Sequence, residues 1–464
     1  MMSLAVRFEL RALLRNPAGL VALVGFLAVG ALALVVGERH VAQWKDEVAQ
    51  ARLAQAEAVE EARSYLAAGV PGPEDKPRID IRKPQWQDQL AGSRIVREPT
   101  PLAGIAAGAV DPAPAAFLVT RWARPLSATG YRIENPELAA GAVDLVFVLT
   151  LLVPLLLGVL GLGIGTRERE SGLAPLIVVQ AGGLRGWMVA RTLTVAGLAG
   201  AASTLLCLVA GLVGGAGVAE VGQLVAFALG YTGLWSGLLL AVNARVNTVR
   251  AAAFGFGVIW TVLCILVPAV ATEVAYGRVE QDFGIEATVD ARAQRWGVWE
   301  MDVEDVLIEL QARYPELDTD VEALSKDNEN IARGAIEASQ FAARLADELG
   351  HEREARHLAE RAAWASPAVA VALGIERLAG VGADASSAYR HRLGQAVEAR
   401  VDWVVHRAWA DQPLTGSDFE ALVAGTPEAF VARAEGLVLP SSALVLWGTV
   451  AWVLALAGLR RDPD

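Results

Sequence analysis

The chain is short of several things that a soluble enzyme uses. It has 2 cysteines, 4 methionines and 5 histidines in 464 residues. Its only lysines are Lys45, Lys76, Lys83 and Lys326. Cys207 and Cys264 both lie in apolar runs, so no disulfide framework is available, and they read as small buried hydrophobes. None of the lysines follows a Gly-x-x-x-x-Gly, so there is no Walker A phosphate loop and no ATP site of that kind. Gly161-Leu162-Gly163-Ile164-Gly165 lies inside an apolar run, which is the wrong context for a dinucleotide loop. His351-Glu352 is followed by His357, not by a histidine four residues on, so the two imidazoles do not share a helix face as a zinc pair must. His40, His391 and His406 complete no metal pattern. The stretch 272–439 is acidic but holds no Asp-x-Asp-x-Asp-Gly calcium loop, so its acids read as a solvated face. Positive charge is in deficit, with 40 Lys+Arg against 52 Asp+Glu and a net charge of -12, which excludes a general nucleic-acid binder.

What is present is apolar length. The chain is 54% hydrophobic while 20% of it is charged, and its mean hydropathy is +0.39. That balance fits membrane helices joined to sizeable polar segments. The runs 18–37, 139–166, 192–213, 224–242, 251–271 and 440–460 are long enough to cross a bilayer. No small-residue cleavage pattern follows Val36, so the first run reads as a retained helix and not a signal peptide. The predicted fold is an all-α polytopic membrane protein: six transmembrane helices plus a mostly helical extracytoplasmic domain built from two insertions, 38–138 and 272–439.

Arginine placement fixes the expected orientation. Arg7, Arg11 and Arg15 lie on one face of an interfacial helix over 1–17. Arg167, Arg169, Arg185 and Arg191 fall in the connection 167–191, Arg245 and Arg250 in the turn 243–250, and Arg460 and Arg461 after the last span. All lie on one side of the predicted topology. The positive-inside rule therefore places both termini in the cytoplasm and both long segments outside. Asp144, at the outer end of the second span, reads as an interfacial acid favoured by a helix N-terminus in preference to a functional intramembrane acid.

The two long segments differ. From Glu38 to Leu66 the Ala, Glu, Gln and Arg content is strongly helix-forming, so the first span is predicted to continue outward. Ten of the 20 prolines lie in 70–136, which predicts an irregular segment with a few short strands or turns, at 78–81 and 95–97, and with Trp86 and Trp122 packing on the other segment. In 272–439, helices are predicted over 303–313, 318–361 and 386–409. The stretch 368–378 is apolar but too short to span, and is expected on the membrane surface. Gly161/Gly165 and Gly233/Gly237 form small-xxx-small pairs that pack helices within the chain or along a dimer seam.

The connection after the second span carries the sharpest signal. Pro175 suits the first turn of a helix, and Leu173, Leu176, Ile177 and Gln180 follow at three- and four-residue spacing. The run Glu168-Arg169-Glu170-Ser171-Gly172-Leu173, with Gln180-Ala181 beyond, resembles the cytoplasmic coupling segment of ABC-2 type transporter permeases. Asn135-Pro136, Leu138, Gly141, Asp144-Leu145, Phe147-Val148, Leu152 and Pro154-Leu155 resemble the DUF3526-like branch of those permeases, which has two large extracytoplasmic segments. Where that family often has Thr-Leu after the glycine, this chain has Leu173-Ala174-Pro175. The resemblance implies a non-catalytic permease subunit whose ATPase-coupling residues are Arg167, Glu168, Arg169, Glu170, Ser171, Gly172, Leu173, Leu176, Ile177 and Gln180. Glu168, Arg169 and Glu170 would supply polar contacts; Leu173, Leu176 and Ile177 would fill a groove. It implies as partners an ABC ATPase subunit, which would bind the ATP and Mg, and a second permease subunit, identical or paralogous, in contact with membrane lipid. Export is the implied direction. An alternative is a mechanotransmission subunit relaying ATPase motion to an extracytoplasmic envelope partner without a pore.

Overall fold

The computed structural model describes all residues except 1, 16, 77, 91–92, 110–113, 125–142, 182, 283–284, 318–323, 411–412, 426–428, 433, 435 and 460–464. The family-like residues Asn135, Pro136, Leu138 and Gly141, the first residues of the helix expected over 318–361, and Arg460 and Arg461 lie outside the described residues. Among the described residues, six helices are long and apolar enough to cross a membrane.

A short helix α1 (Met2–Arg15) leads into α2 (Pro17–Ala68), a single helix of 52 residues. Pro17 opens α2, where a missing N–H costs nothing, and no Gly or Pro interrupts the stretch from Glu38 to Ala68. At about 1.5 Å per residue it runs about 78 Å, more than twice the roughly 30 Å of a hydrocarbon core. The expected outward continuation of the first span is therefore present. Phe26, Gly30, Ala33, Gly37, Val41, Trp44 and Val48 are buried at three- and four-residue steps, one seam along the rod. Gly37 meets backbone there: a Cβ would stand 1.9 Å from the Gly104 carbonyl oxygen.

The other spans are α4 (Leu145–Glu170), α6 (Leu184–Gly214), α7 (Val218–Arg245), α8 (Val249–Val274, with its helix continuing to Asp282) and α15 (Val438–Leu459). The third and fourth spans begin eight and six residues before their expected starts, because the apolar runs are only the middle of each helix. The centre of the bundle is α7, with Tyr231, Trp235, Leu239 and Leu240 fully buried. Gly237 lets α7 approach α15, where a Cβ would meet Ala451 backbone at 3.1 Å, and Trp452 Nε1 donates to Gly233 O at 3.0 Å. Gly237 thus packs helices within the chain, whereas a Cβ on Gly233 would meet nothing within 4 Å. In the other pair, Gly161 faces Leu239 but Gly165 lies in a break of α4 with φ +80, so it is not a packing position of a regular helix.

Two spans contain a π-turn, Val148–Leu152 in α4 and Val262–Leu266 in α8. Their sequences repeat: Val148-Leu149-Thr150-Leu151-Leu152-Val153-Pro154 and Val262-Leu263-Cys264-Ile265-Leu266-Val267-Pro268. Each proline lacks the N–H that would bond the carbonyl four residues back. The Thr150 carbonyl left by Pro154, and other carbonyls in the two turns, accept from side chains. Thr150 O accepts from Tyr231 Oη at 2.7 Å, with Cys264 Sγ at 3.7 Å, and Leu151 O accepts from Trp260 Nε1 at 3.3 Å. Leu263 O accepts from Ser366 Oγ at 2.5 Å. The repeats run antiparallel and meet at Tyr231.

The polar segments form one head. From the first come α3 (Pro84–Leu90), β1 (Ser93–Glu98) and β2 (Ala116–Val119). From the second come α9 (Ile285–Glu300), α10 (Val303–Arg313), α11 (Lys326–Ala365), α12 (Pro367–Leu378), α13 (Ala383–Trp409), α14 (Gly416–Ala424) and β3 (Ala429–Val431). The expected strand at 95–97 lies inside β1. The stretch 78–81 takes the expected alternative, turns in place of a strand, and its Ile81 is buried against Val59, Ala62 and Phe419. The sheet order is β2-β1-β3, with β1 antiparallel to β2 and parallel to β3, so a strand of one segment is paired to the other. Trp122 does pack across: its ring lies 6.0 Å from that of Trp299, over Gly334. α12 does not lie on a lipid surface as expected. Ala368, Val371, Ile375 and Leu378 join the bundle core, packed on α7 and α15.

A buried ion pair clamps the two segments. Asp88 is 0% exposed and Arg400 3%. Their closest approach is 3.6 Å, Arg400 Nη2 donates to Ser93 Oγ at 2.6 Å, and Arg121 N donates to Asp88 Oδ2 at 3.0 Å. Burial pushes the Asp88 carboxyl up to about 6 despite the pull of Arg400. The folded chain therefore keeps this proton where the unfolded chain, near 3.8, has lost it. The contribution is full below about pH 4 and fades as pH rises through about 6. Thermal melting of the wild type should fall across that window, and Asp88→Asn should flatten the fall. An equally steep profile in both would refute this assignment.

Candidate functional site

The connection between α4 and α6 begins where α4 breaks. Gly161, Gly163 and Gly165 make residues 161–165 poor helix, and Gly165 adopts φ +80, a conformation that side chains resist. A Cβ there would also strike Met188 at 2.5 Å. The helix resumes at Thr166–Glu170, where the Glu168 carboxylate accepts the Gly165 N–H at 2.7 Å. Gly172, with φ +73, turns the chain into α5 (Ala174–Ala181), and Gly183 opens α6.

Beneath this connection lies a polar node. Arg191, expected at the end of the loop, is two turns inside α6 and only 8% exposed. Its Nε pairs with Glu9 of α1 and its Nη1 with Glu168. Phe8 and Trp187 lie over the guanidinium at 4.8 and 5.6 Å. Arg169 reaches the end of α7, donating to the carbonyls of Asn243 and, at 3.0 Å, Val246. The contact is reciprocal, since Asn243 Nδ2 donates to Gly161 O at 2.9 Å, at the point where α4 breaks. Glu170 accepts the Val249 N–H at 3.1 Å, at the positive end of α8. Arg245 Nη2 donates to Leu454 O of α15 at 2.8 Å. The node therefore joins α1, α4, α6, α7 and α8, with a further tie to α15.

Each expected coupling residue now has a place. Glu168, Arg169 and Glu170 are engaged within the chain, so they build the platform under α5. Arg167, Ser171 and Gly172 are exposed. On α5 and the residue before it, Leu173 is 51% exposed, Leu176 52% and Val179 82%, with Gln180 beside them. Ile177 does not share that face: with Ala174 and Val178 it packs on the bundle core. Val179 was not anticipated. The signal was available, because Leu173, Leu176 and Val179 follow an unbroken three-residue step, while Ile177 belongs with Ala174 and Val178. Glu9 was also missed; a single acid among three arginines gives no sign that it points inward. Among the described residues, no three His, Cys, Asp or Glu side chains are placed to hold a metal ion.

Six membrane-length helices, a helical head and a small sheet define an all-α polytopic membrane protein. Residues 286–424, from α9 to the end of α14, match the family model described as Domain of unknown function (DUF3526). That stretch lies in the head and includes none of the node. No curated protein and no solved structure matches the chain.

Removing Arg191 would leave Glu9 and Glu168 buried without their counter-charge, a loss of about 3–5 kcal/mol for such a broken pair. Arg191→Met should sharply lower the melting temperature in detergent. Adding Glu9→Gln should restore part of it, because Glu168 keeps the Gly165 N–H. If the single variant melts like the wild type, the node does not hold these helices together.

Proposed function

We propose that the chain is the membrane-spanning permease subunit of an ABC-2 type transporter in a bacterial inner membrane, with both termini cytoplasmic and the head outside. The observation that carries this is the apolar face of Leu173, Leu176 and Val179. It is exposed at the arginine-rich end of the bundle, on a platform bonded to the spans around it. Arg7, Arg11, Arg15, Arg167, Arg169, Arg185, Arg191, Arg245 and Arg250 support reading that end as cytoplasmic by the positive-inside rule. An apolar turn of this kind fits a groove on a partner, and the likeness of 168–173 to the ABC-2 coupling segment makes that partner an ABC ATPase. The ATPase would bind the ATP and Mg, and this subunit would be non-catalytic. A second permease subunit, identical or paralogous, would complete the membrane pathway, in contact with lipid. Closure of the ATPases would push α5, with Glu168 passing the displacement to α6 and Arg169 to α7.

A second reading has its own support. The helix α2 runs unbroken from the bundle into the head, and α8 also continues beyond its apolar stretch. Such rods suit a mechanotransmission subunit that relays ATPase motion to an extracytoplasmic envelope partner. ATP-driven substrate movement in sealed vesicles separates the readings.

The test is co-purification with the ATPase encoded beside the chain. Leu176→Asp/Val179→Asp puts two charges on the exposed face and leaves the platform intact, whereas Glu170→Arg would also disturb the start of α8. The wild type should retain the ATPase, and the double variant should lose it by about tenfold or more, with unchanged elution and melting. Equal recovery from both would move docking elsewhere, and no recovery from the wild type would sink the transporter reading.

A further inference from the structure

A cavity of about 260 Å³ lies where the head meets the bundle, between α8, α11 and α12. One wall is apolar, formed by Pro268 and Ala271 just beyond the second π-turn and by Val369, Ala372 and Leu373 of α12. The opposite wall carries charge. Arg356 is committed to Asp384 at 2.6 Å and to Ser387 Oγ at 2.7 Å. Arg377 is committed to Asp384 at 2.9 Å, to Gly436 O at 2.8 Å and to Glu360. Three carboxylates thus face two guanidiniums. The surplus acid is Glu376, which alone of the five has no hydrogen-bond or ion-pair partner among the described residues.

We propose that this cavity binds an organic cation, a protonated amine on a small apolar body, with Glu376 as its counter-ion. A neutral ligand would leave the carboxylate unmatched in a half-enclosed apolar site, and an anion would meet an excess of negative charge from arginines already engaged. Burial, with Asp144 and Asp384 nearby, pushes Glu376 up to about 7, while Arg377 pulls it down. The charged groups around it are Arg377 on its own helix, Arg356 and Glu360 on α11, Asp384 on α13 and Asp144 at the start of α4; His357 faces Glu360 from outside at 3.3 Å. An amine of lysine-like basicity keeps its proton to about pH 10. Its affinity should therefore follow Glu376, rising as pH passes from about 6 to about 8. The proposal does not depend on the transporter reading.

The experiment is calorimetric titration of the full chain in a nonionic detergent with 2-phenylethylamine, and with 2-phenylethanol as the neutral isostere. At about pH 8 the amine should bind about tenfold or more tightly than the alcohol. The preference should shrink at about pH 6 and vanish in Glu376→Gln. Continued alcohol binding by Glu376→Gln would show that the variant is folded, and Ala372→Phe, which fills the cavity, should abolish both. A cavity of this size also admits the ammonium head group of a lipid. Native mass spectrometry after delipidation distinguishes that source, since retained phosphatidylethanolamine, displaced by the amine, would name the lipid. Absence of amine binding by the wild type, equal binding of amine and alcohol, or an undiminished preference in Glu376→Gln would each overturn the proposal.

Discussion

A helix that loses a backbone hydrogen bond inside hydrocarbon has no water to replace it, so another side chain must. Most of the bundle's polar side chains can be understood from that one requirement. Pro154 and Pro268 each remove a donor, and each lies two residues past a π-turn. Tyr231 and Cys264 then meet the Thr150 carbonyl that Pro154 leaves, and Trp260 and Ser366 donate to Leu151 and Leu263 within the two turns. Tyr231 is fully buried, and its ring stands edge-on to Trp235, which in turn packs on Phe256. The centre of the bundle is thus built around the means of satisfying two breaks.

The same requirement shapes the arginine-rich end. At the break over 162–165, Gly161 O accepts both the Ile164 N–H and Asn243; the end of α7 frees carbonyls, which take Arg169; the start of α8 presents a donor, which takes Glu170. Charges that could have faced a partner are instead occupied with helix ends. On α5 and the residue before it, the exposed face is largely apolar, Leu173, Leu176 and Val179 with Gln180 beside them, while Arg167, Ser171 and Gly172 are exposed at its edge. A surface selected only for solvation would place these residues inward and the charges outward. The proposed docking role of α5 rests on this exposed apolar face.

Much of this could be read in the sequence, and the failures have causes. Length and hydropathy located all six spans, and the Ala/Glu-rich stretch gave α2 its extension. α10 appeared at its expected bounds, because its caps and apolar spacing agree. Span ends were missed where polar residues continue a helix, as at Leu184 to Arg191, since hydropathy sees lipid contact and not helicity. β3 has three residues, too few to show alternation, and exists because β1 offers it an edge. Ile177 was placed on the wrong face because a four-residue step from Leu173 is as legitimate as a three-residue step to Leu176; only packing decides between them. The Val-Leu-x-x-Leu-Val-Pro repeat was legible throughout and pairs α4 with α8.

The positions of the breaks also determine which parts must move together. α2 has no break, so its spanning part and its projection into the head form one lever. α4 and α8 each have a π-turn, and the head is tied to α4 on the head side of its turn and to α8 at the turn itself. Asp144, at the start of α4, accepts the Gly108 N–H at 3.0 Å, and Ser366, the N-cap of α12, holds Leu263 of α8. On the other side of each turn the helix runs to the node, through Glu168 to Glu170 or through Val249. A displacement of α5 therefore reaches the head by two routes that cross a π-turn and, through Arg191, Glu9 and α1, by one that does not. Helix deformation concentrates where the regular hydrogen-bond ladder is already interrupted. The paired turns at Tyr231 are accordingly where α4 and α8 can bend against the unbroken α2.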